Sequence, residues 1–81
     1  MSKDEILVRV SEVLVETFGV EPDQIQATTH LIDDLDLDSI DLIDLVVRLE
    51  EETSLDLAED ELRKLRVIQD IVDLVYRKLG F

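Results

Sequence analysis

The residues of this chain best suited to chemistry are Asp38-Ser39-Ile40-Asp41, where a serine hydroxyl stands between carboxylates at the expected start of a helix. A serine that attacks a substrate itself needs a base within hydrogen-bond reach and donors that stabilise an oxyanion. The only histidine, His30, lies upstream in an acidic segment, and there is no Gly-x-Ser-x-Gly motif. The pattern therefore favours a serine modified by another enzyme over a hydrolase nucleophile. A serine near a helix N-cap with no further role is the simpler alternative.

Metal chemistry has little support in the sequence. Asp34-x-Asp36-x-Asp38 resembles the start of an EF-hand loop, but the sixth position is Ser39 instead of Gly and the twelfth is Leu45 instead of Glu. One histidine and no cysteine do not supply a zinc ligand set. We therefore expect no dedicated metal site. A chain this short has little room for an enclosed catalytic pocket beside a core, so we also expect that it is not an enzyme.

Length and composition predict one small domain with an aliphatic core. The 81 residues leave no room for two cores, so residues 1–81 are expected to form a single domain. Apolar residues make up 46% of the chain, too many for a disordered acidic tail. Aromatic residues are only 4%, so Leu, Ile and Val must fill the core. With no cysteine, any thiol chemistry would need an added group.

The formal net charge of −13 limits the partners that the chain can attract. Such a field repels nucleic acid and anionic membranes and draws in basic protein surfaces. The charge is concentrated in residues 33–61, which hold thirteen acidic residues and one basic residue. No long uncharged apolar run and no signal-peptide pattern is visible, so we expect a soluble cytoplasmic protein without stable membrane association.

Apolar periodicity predicts an all-α four-helix bundle, with three main helices and one short one. A first helix should follow the capping box Ser2-x-x-Glu5 and end at Gly19. A long connection with scattered apolar residues should fold back on the core until a second helix starts near Asp38, its expected N-cap, and runs to about Thr53. A short helix or single turn is expected over 59–65, and a final helix from about Ile68 to Leu79.

The second helix should present an acidic stripe that includes Asp41, Asp44 and Glu51. Ile40 and Val47 lie beside this stripe and are expected to be half-exposed. Residues 50–52 are all Glu in the last turn, where negative charge opposes the helix dipole. Negative charge placed against the helix dipole without a visible gain in stability is a hint of function.

The run from Asp33 to Asp41, followed by Leu45-Val46-x-x-Leu49-Glu50-Glu51-Glu52, closely resembles the acyl carrier proteins. The resemblance spans nearly the whole chain, to Val67-x-Gln69-x-x-Val72 in the last helix. It implies a four-helix bundle in which Ser39 carries 4′-phosphopantetheine, added by a phosphopantetheinyl transferase. The thiol of that arm would hold acyl groups as thioesters, in fatty-acid biosynthesis, polyketide synthesis or another specialised branch of lipid metabolism.

The resemblance also assigns roles to neighbouring residues. Asp38 would help the transferase. The surface that meets basic patches on acyl-transferring and condensing enzymes would be formed by Ile40, Asp41, Asp44, Val47, Glu50 and Glu51. The acyl chain would shelter near Ile40, Ile43, Leu49, Ile71 and Val72. The expected protein is a monomeric phosphoprotein that shuttles cargo.

Some positions depart from the resemblance, and two other functions stay open. Asp36 stands where bacterial fatty-acid carriers often have Gly, Leu42 where a small polar residue is common, and Ala58 where the third helix often starts at proline. A specialised pathway is therefore at least as well supported as housekeeping fatty-acid synthesis. A peptidyl or aminoacyl carrier would share the fold and the arm. An acidic helical adaptor would bind a basic partner without any covalent group.

Overall fold

The fold consists of four helices. In the computed structural model, which describes residues 2–80, these are α1 (Lys3–Phe18), α2 (Ser39–Thr53), α3 (Glu59–Leu62) and α4 (Ile68–Lys78). A single 3-10 turn, Pro22–Gln24, lies in the long connection. Over residues 2–80 there is no strand, only an isolated antiparallel bridge between His30 and Val67. The predicted four-helix all-α fold is confirmed.

The ends of α1 follow the predicted signals. The hydroxyl of Ser2 accepts a hydrogen bond from the Glu5 N–H at 3.2 Å, and Glu5 Oε1 accepts one from the Ser2 N–H at 3.2 Å. These bonds satisfy two of the donors that a helix start leaves without partners. At the other end Gly19 has φ +67, a left-handed conformation that costs glycine little. The capping box and the terminal glycine of α1 are therefore both confirmed.

Aliphatic side chains fill the core, and α1 packs against both α2 and α4. The most deeply buried residues come from three helices and the long connection: Ile6, Val10, Leu14, Leu31, Leu45, Val46, Leu49, Ile68, Ile71 and Val75. Val8, Ile32, Ile40, Ile43 and Val47 remain exposed. None of the helices in the described range is long and apolar enough to cross a membrane.

The long connection folds back on the core, as predicted, and is joined to the start of α4. The Leu31 N–H donates to the Arg66 carbonyl at 2.9 Å, and the Ile68 N–H donates to the Thr29 carbonyl at 3.0 Å. Thr29 is buried, and its hydroxyl donates to the Gln24 carbonyl at 2.7 Å while accepting the Gln26 N–H at 2.9 Å. These backbone groups of the loop are therefore satisfied without regular structure.

Ion pairs link the helices at the surface. Arg9 on α1 lies 3.1 Å from Glu52 on α2, and Lys3 lies 3.1 Å from Asp73 on α4. The short helix α3 is joined to α4 through Glu61, whose carboxylate lies 2.8 Å from Lys78 Nζ. The hydrogen bond from the Lys78 ammonium lowers the pKa of Glu61, with smaller contributions from the Ala58 N–H and the charge of Arg77.

Replacement of Glu61 by Gln should lower the Tm at about pH 7, because the neutral amide loses the ion pair with Lys78. The folded-state pKa of Glu61 is depressed. Its stabilisation is therefore present above the unfolded-state pKa and is lost as pH falls through the folded-state pKa. The Tm gap between wild type and Glu61→Gln should consequently narrow as the pH falls below the ordinary pKa of glutamate and through the lowered folded-state pKa.

Asp60→Asn is the matched control, since Asp60 is exposed on the same helix and its loss removes the same charge. Thermal unfolding followed by circular dichroism would measure all three proteins. A gap for Glu61→Gln that stayed constant with pH, or that Asp60→Asn reproduced, would contradict the role given to this ion pair.

Candidate functional site

Ser39 is the first residue of α2, and its side chain is exposed. Two reciprocal hydrogen bonds fix this helix start. Asp38 Oδ1 accepts the Asp41 N–H at 2.8 Å, and Asp41 Oδ2 accepts the Asp38 N–H at 3.2 Å. The predicted N-cap role of Asp38 is confirmed. Asp41, predicted as part of an open acidic stripe, is half-buried and takes part in the cap.

A tight turn delivers the chain to this cap. The Leu37 N–H donates to the Leu31 carbonyl at 3.2 Å, and the Asp36 N–H donates to the Ile32 carbonyl at 2.9 Å. The bond from Asp36 to Ile32 is that of an αL motif, with the left-handed residue at Asp36 (φ +61). Leu31 and Leu37 are both buried and anchor the turn to the core. Bacterial fatty-acid carriers often have glycine at the position of Asp36. The left-handed backbone found here explains that preference, although this chain has aspartate instead.

His30 takes part in the hydrogen bonds of the same turn. Its Nδ1 accepts the N–H groups of Ile32 at 3.3 Å and Asp33 at 3.1 Å, while Asp34 Oδ2 accepts the His30 N–H at 2.7 Å. Within the described part of the chain no hydrogen bond joins His30 to Ser39. In that same part, no group of three or more His, Asp or Glu side chains could hold a metal ion.

A groove of about 420 Å³ opens beside Ser39. Residues from three separate segments line it with Ser39: Ile32, Leu42, Ile43, Leu62, Arg63 and Leu65. Of the residues that the resemblance implied for an acyl shelter, Ile43 is in this lining. Leu49, Ile71 and Val72 are instead buried in the core. The groove therefore includes one residue of the implied set and borders the end of α3 through Leu62.

The acidic face of α2 divides into exposed and engaged carboxylates. Glu51 is exposed, and Asp44 lies 3.4 Å from Arg48 on a half-exposed part of the helix. Glu50 is half-buried, and its Oε2 accepts the Leu57 N–H at 2.9 Å. Glu52 pairs with Arg9. Two of the three glutamates that oppose the helix dipole therefore have a structural partner.

The two apolar residues beside this face were predicted to be half-exposed, which holds for Val47, while Ile40 is more exposed than predicted. Ile40 is 76% exposed and Val47 is 43% exposed. Single exposed aliphatic side chains are common, but these two lie on the same helix as Ser39 and the exposed carboxylates. Together they form a mixed apolar and acidic surface on α2.

A second groove of about 420 Å³ lies between α1 and the 3-10 turn. Its lining is mainly aliphatic, with Leu7, Val8, Val15, Pro22 and Ile25, and does not include Ser39. The groove beside Ser39 therefore differs from this second groove in having Ser39 and Arg63 among its lining residues, and not in its size.

Comparison with known proteins identifies the family. A family model described as a phosphopantetheine attachment site matches residues 8–75. An acyl carrier protein from Petrotoga mobilis is 35% identical over 80 residues, covering 99% of this chain and 94% of the relative. One from Thermotoga maritima is 38% identical over 79 residues, covering 98% of each. The chain belongs to the acyl carrier protein family.

The fold agrees with this membership. The crystal structure of an acyl carrier protein from Thermotoga maritima superposes with a TM-score of 0.85 at 30% identity, covering 98% of this chain and 92% of that one. Acyl carrier proteins are carriers and not enzymes, and their prosthetic group is 4′-phosphopantetheine. These findings do not favour the peptidyl carrier or the non-covalent adaptor.

The described residues fit that prosthetic group. An exposed hydroxyl stands at the first residue of a fifteen-residue helix, and the adjoining groove is mostly aliphatic. A phosphate at a helix N-terminus meets favourable backbone dipoles. The sequence did not indicate Ile32, Leu62, Arg63 or Leu65 as part of the site, because their proximity to Ser39 arises from packing between distant segments.

Replacement of Asp36 tests the turn that precedes Ser39. At φ +61 an L side chain is strained, so Asp36→Gly should be more stable than Asp36→Ala by about 1 kcal/mol. Urea unfolding would measure the difference. Asp56 is the matched control, since it is exposed and is not among the residues with positive φ. There the order should reverse, because glycine loses more backbone entropy on folding. The same order at both sites would contradict the left-handed assignment.

Proposed function

We propose that Ser39 is the residue to which 4′-phosphopantetheine is attached. The observation that carries the proposal is the position of its exposed hydroxyl, at the capped start of α2 and in the lining of a groove. Among the described residues, no hydrogen bond joins Ser39 to a histidine. The base that deprotonates the Ser39 hydroxyl during attachment is therefore expected on a partner enzyme. That partner would be a phosphopantetheinyl transferase.

The transfer uses this hydroxyl as the nucleophile. Ser39 Oγ forms a bond to the phosphorus of the phosphopantetheine half of coenzyme A, and the P–O bond between the two phosphates of coenzyme A breaks. The serine proton passes to the transferase, and adenosine bisphosphate leaves. Asp38 holds the helix start in place through its bond to the Asp41 N–H, so the hydroxyl is presented on a fixed backbone.

When bound, the arm supplies a thiol that carries acyl groups as thioesters. This chain has no cysteine of its own, which is consistent with a protein whose cargo chemistry belongs entirely to the cofactor. We infer that the acyl groups come from fatty-acid, polyketide or another specialised lipid pathway.

The partner surface is the mixed surface of α2. Ile40, Asp44, Val47 and Glu51 are available to acyl-transferring and condensing enzymes with basic patches, while Asp41 and Glu50 contribute charge from half-buried positions. Long-range attraction to such patches speeds encounter, and exposed charge pairs add little affinity once screened. That balance suits a monomeric cytoplasmic carrier that must leave each partner and does not bind nucleic acid.

Intact mass after incubation with coenzyme A and a promiscuous transferase tests the attachment site. Wild type should gain one phosphopantetheine increment, and Ser39→Ala should gain none. Ser2→Ala is the control, because Ser2 is also an exposed serine at a helix start. An increment on Ser39→Ala, or none on the folded wild type, would overturn the assignment.

Charge reversal on α2 tests the partner surface. Asp44→Lys with Glu51→Lys should slow transferase loading by about tenfold at low salt, and the effect should shrink as salt is added. Glu12→Lys with Glu21→Lys changes the net charge equally at exposed positions away from α2. Initial rates from the mass assay would compare the two pairs. Equal slowing by both would show that total charge matters and that α2 is not the contact.

A further inference from the structure

The groove between α1 and the 3-10 turn holds an exposed aliphatic side chain that belongs neither to the core nor to the surface around Ser39. Val8, which lines this groove, is 55% exposed. The other large apolar residues that are exposed in the described range lie on α2 or line the groove beside Ser39: Ile32, Ile40, Ile43 and Val47. None of those four lines the groove on α1. An exposed apolar side chain set in a groove is a candidate contact for a partner.

The floor of this groove is apolar and is held in place by the fold. Leu7 and Ile25 are half-buried and pack against the core, one from α1 and the other from the end of the 3-10 turn. The Ser11 hydroxyl donates to the Leu7 carbonyl at 2.7 Å, and the Ile25 N–H donates to the Pro22 carbonyl at 3.1 Å. Because these donors already have acceptors, an apolar group can cover the floor without leaving them unsatisfied.

Two carboxylates border this floor, and neither has a partner. Glu12 and Glu16 are exposed, line the groove and make no hydrogen bond or ion pair within residues 2–80. They lie four residues apart on α1, a spacing at which like charges destabilise a helix. The basic residues of α1 and α2 pair with other carboxylates: Lys3 with Asp73, Arg9 with Glu52 and Arg48 with Asp44. A repulsive pair that no local contact offsets is a hint of function.

Both sides of the groove are negatively charged. Glu12 and Glu16 are the charged residues in its described lining, and the exposed Glu21 and Asp23 flank Pro22 on the side of the 3-10 turn. The occupant must therefore supply positive charge. This field repels nucleic acid, anionic membranes and free fatty acids, and the net charge of −13 opposes the docking of a second copy of the chain.

We propose that this groove binds a basic amphipathic segment of a partner protein. An aliphatic or aromatic side chain of the segment rests on Val8 and the apolar floor, while lysine or arginine residues beside it reach Glu12 and Glu16. The apolar contact supplies affinity, and the two carboxylates select a cationic partner over an acidic or neutral one.

The dimensions of the groove match a short helical segment. Leu7 and Val15 lie two turns apart on α1, roughly 12 Å along its axis, so about two turns of a partner helix cover the groove. The lining shares no residue with the groove beside Ser39 or with the mixed surface of α2. This contact area is therefore separate from both, and its existence does not depend on the proposed attachment at Ser39.

A synthetic helical peptide of about 18 residues serves as the probe, since shorter isolated helices are marginal in water. It carries leucines at three- and four-residue spacing on one face and lysines on both flanks of that face. A second peptide has the same composition in an order that scatters the leucines, and a third has glutamate in place of lysine. Titration of each peptide into isotope-labelled protein at low salt, followed by NMR, gives the Kd and the backbone amides affected.

Substitutions in the protein separate the apolar contact from the charged one. Val8→Ser should raise the Kd of the amphipathic peptide about tenfold, because one aliphatic contact is lost. Glu12→Gln with Glu16→Gln should raise it about threefold to tenfold at low salt and less at high salt. Asp56→Asn with Asp60→Asn is the matched control, since it removes the same charge from two exposed residues that do not line the groove. Circular dichroism would check that each variant is folded.

The proposal expects amide shifts centred on Val8 and Ile25, with the amphipathic peptide alone. Equal loss of affinity in the two charge-removed variants, or shifts confined to α2, would show that the peptide follows net charge and would overturn the groove as its site. Weakening by Val47→Ser and not by Val8→Ser would do the same, as would an absence of binding by the folded wild type. A concentration-dependent dimer of the free chain in sedimentation, abolished by Val8→Ser, would make a second copy the occupant and overturn the proposal. None of these outcomes bears on loading at Ser39.

Discussion

The pair of hydrogen bonds between Asp38 and Asp41 sets the residue at which α2 begins, and the position of Ser39 depends on it. Upstream, the turn that ends at left-handed Asp36 brings the chain to this cap, with Leu31 and Leu37 holding it to the core. The serine thus follows two closed hydrogen-bond motifs in a row. An exposed hydroxyl on such a fixed backbone can be recognised by an enzyme without ordering a flexible loop first.

The carboxylates of this chain serve two different purposes. Those of Asp38, Asp41 and Glu50 accept backbone N–H groups, and so they stabilise particular turns and helix ends. Others, such as Glu51, remain exposed and contribute mainly to the field around the protein. Because the carboxylates of the first group are partly engaged by backbone N–H groups, the net charge of the chain overstates the part of it that recognition can use.

The sequence predicted those features that depend on short spacing. The capping box at Ser2, the end of α1 at Gly19 and the N-cap at Asp38 are each encoded within a few residues, and all were confirmed. The groove could not be predicted in this way, since Ile32, Leu42 and Leu62 meet only when three segments pack. The hydrogen-bond partner of Glu50 could not be predicted for the same reason, because the Leu57 N–H lies beyond the helix end.

The shortness of α3 determines how the groove can change shape. Four residues cannot form a stable helix alone, so this segment is held by Leu62, Leu65 and the pairing of Glu61 with Lys78. A sub-global opening of α3 therefore costs less than unfolding the three long helices. Since α3 and the turn after it form one wall of the groove, the amide protons there should exchange sooner than those of the core. The volume of the groove is therefore expected to change as α3 opens and closes, instead of being fixed.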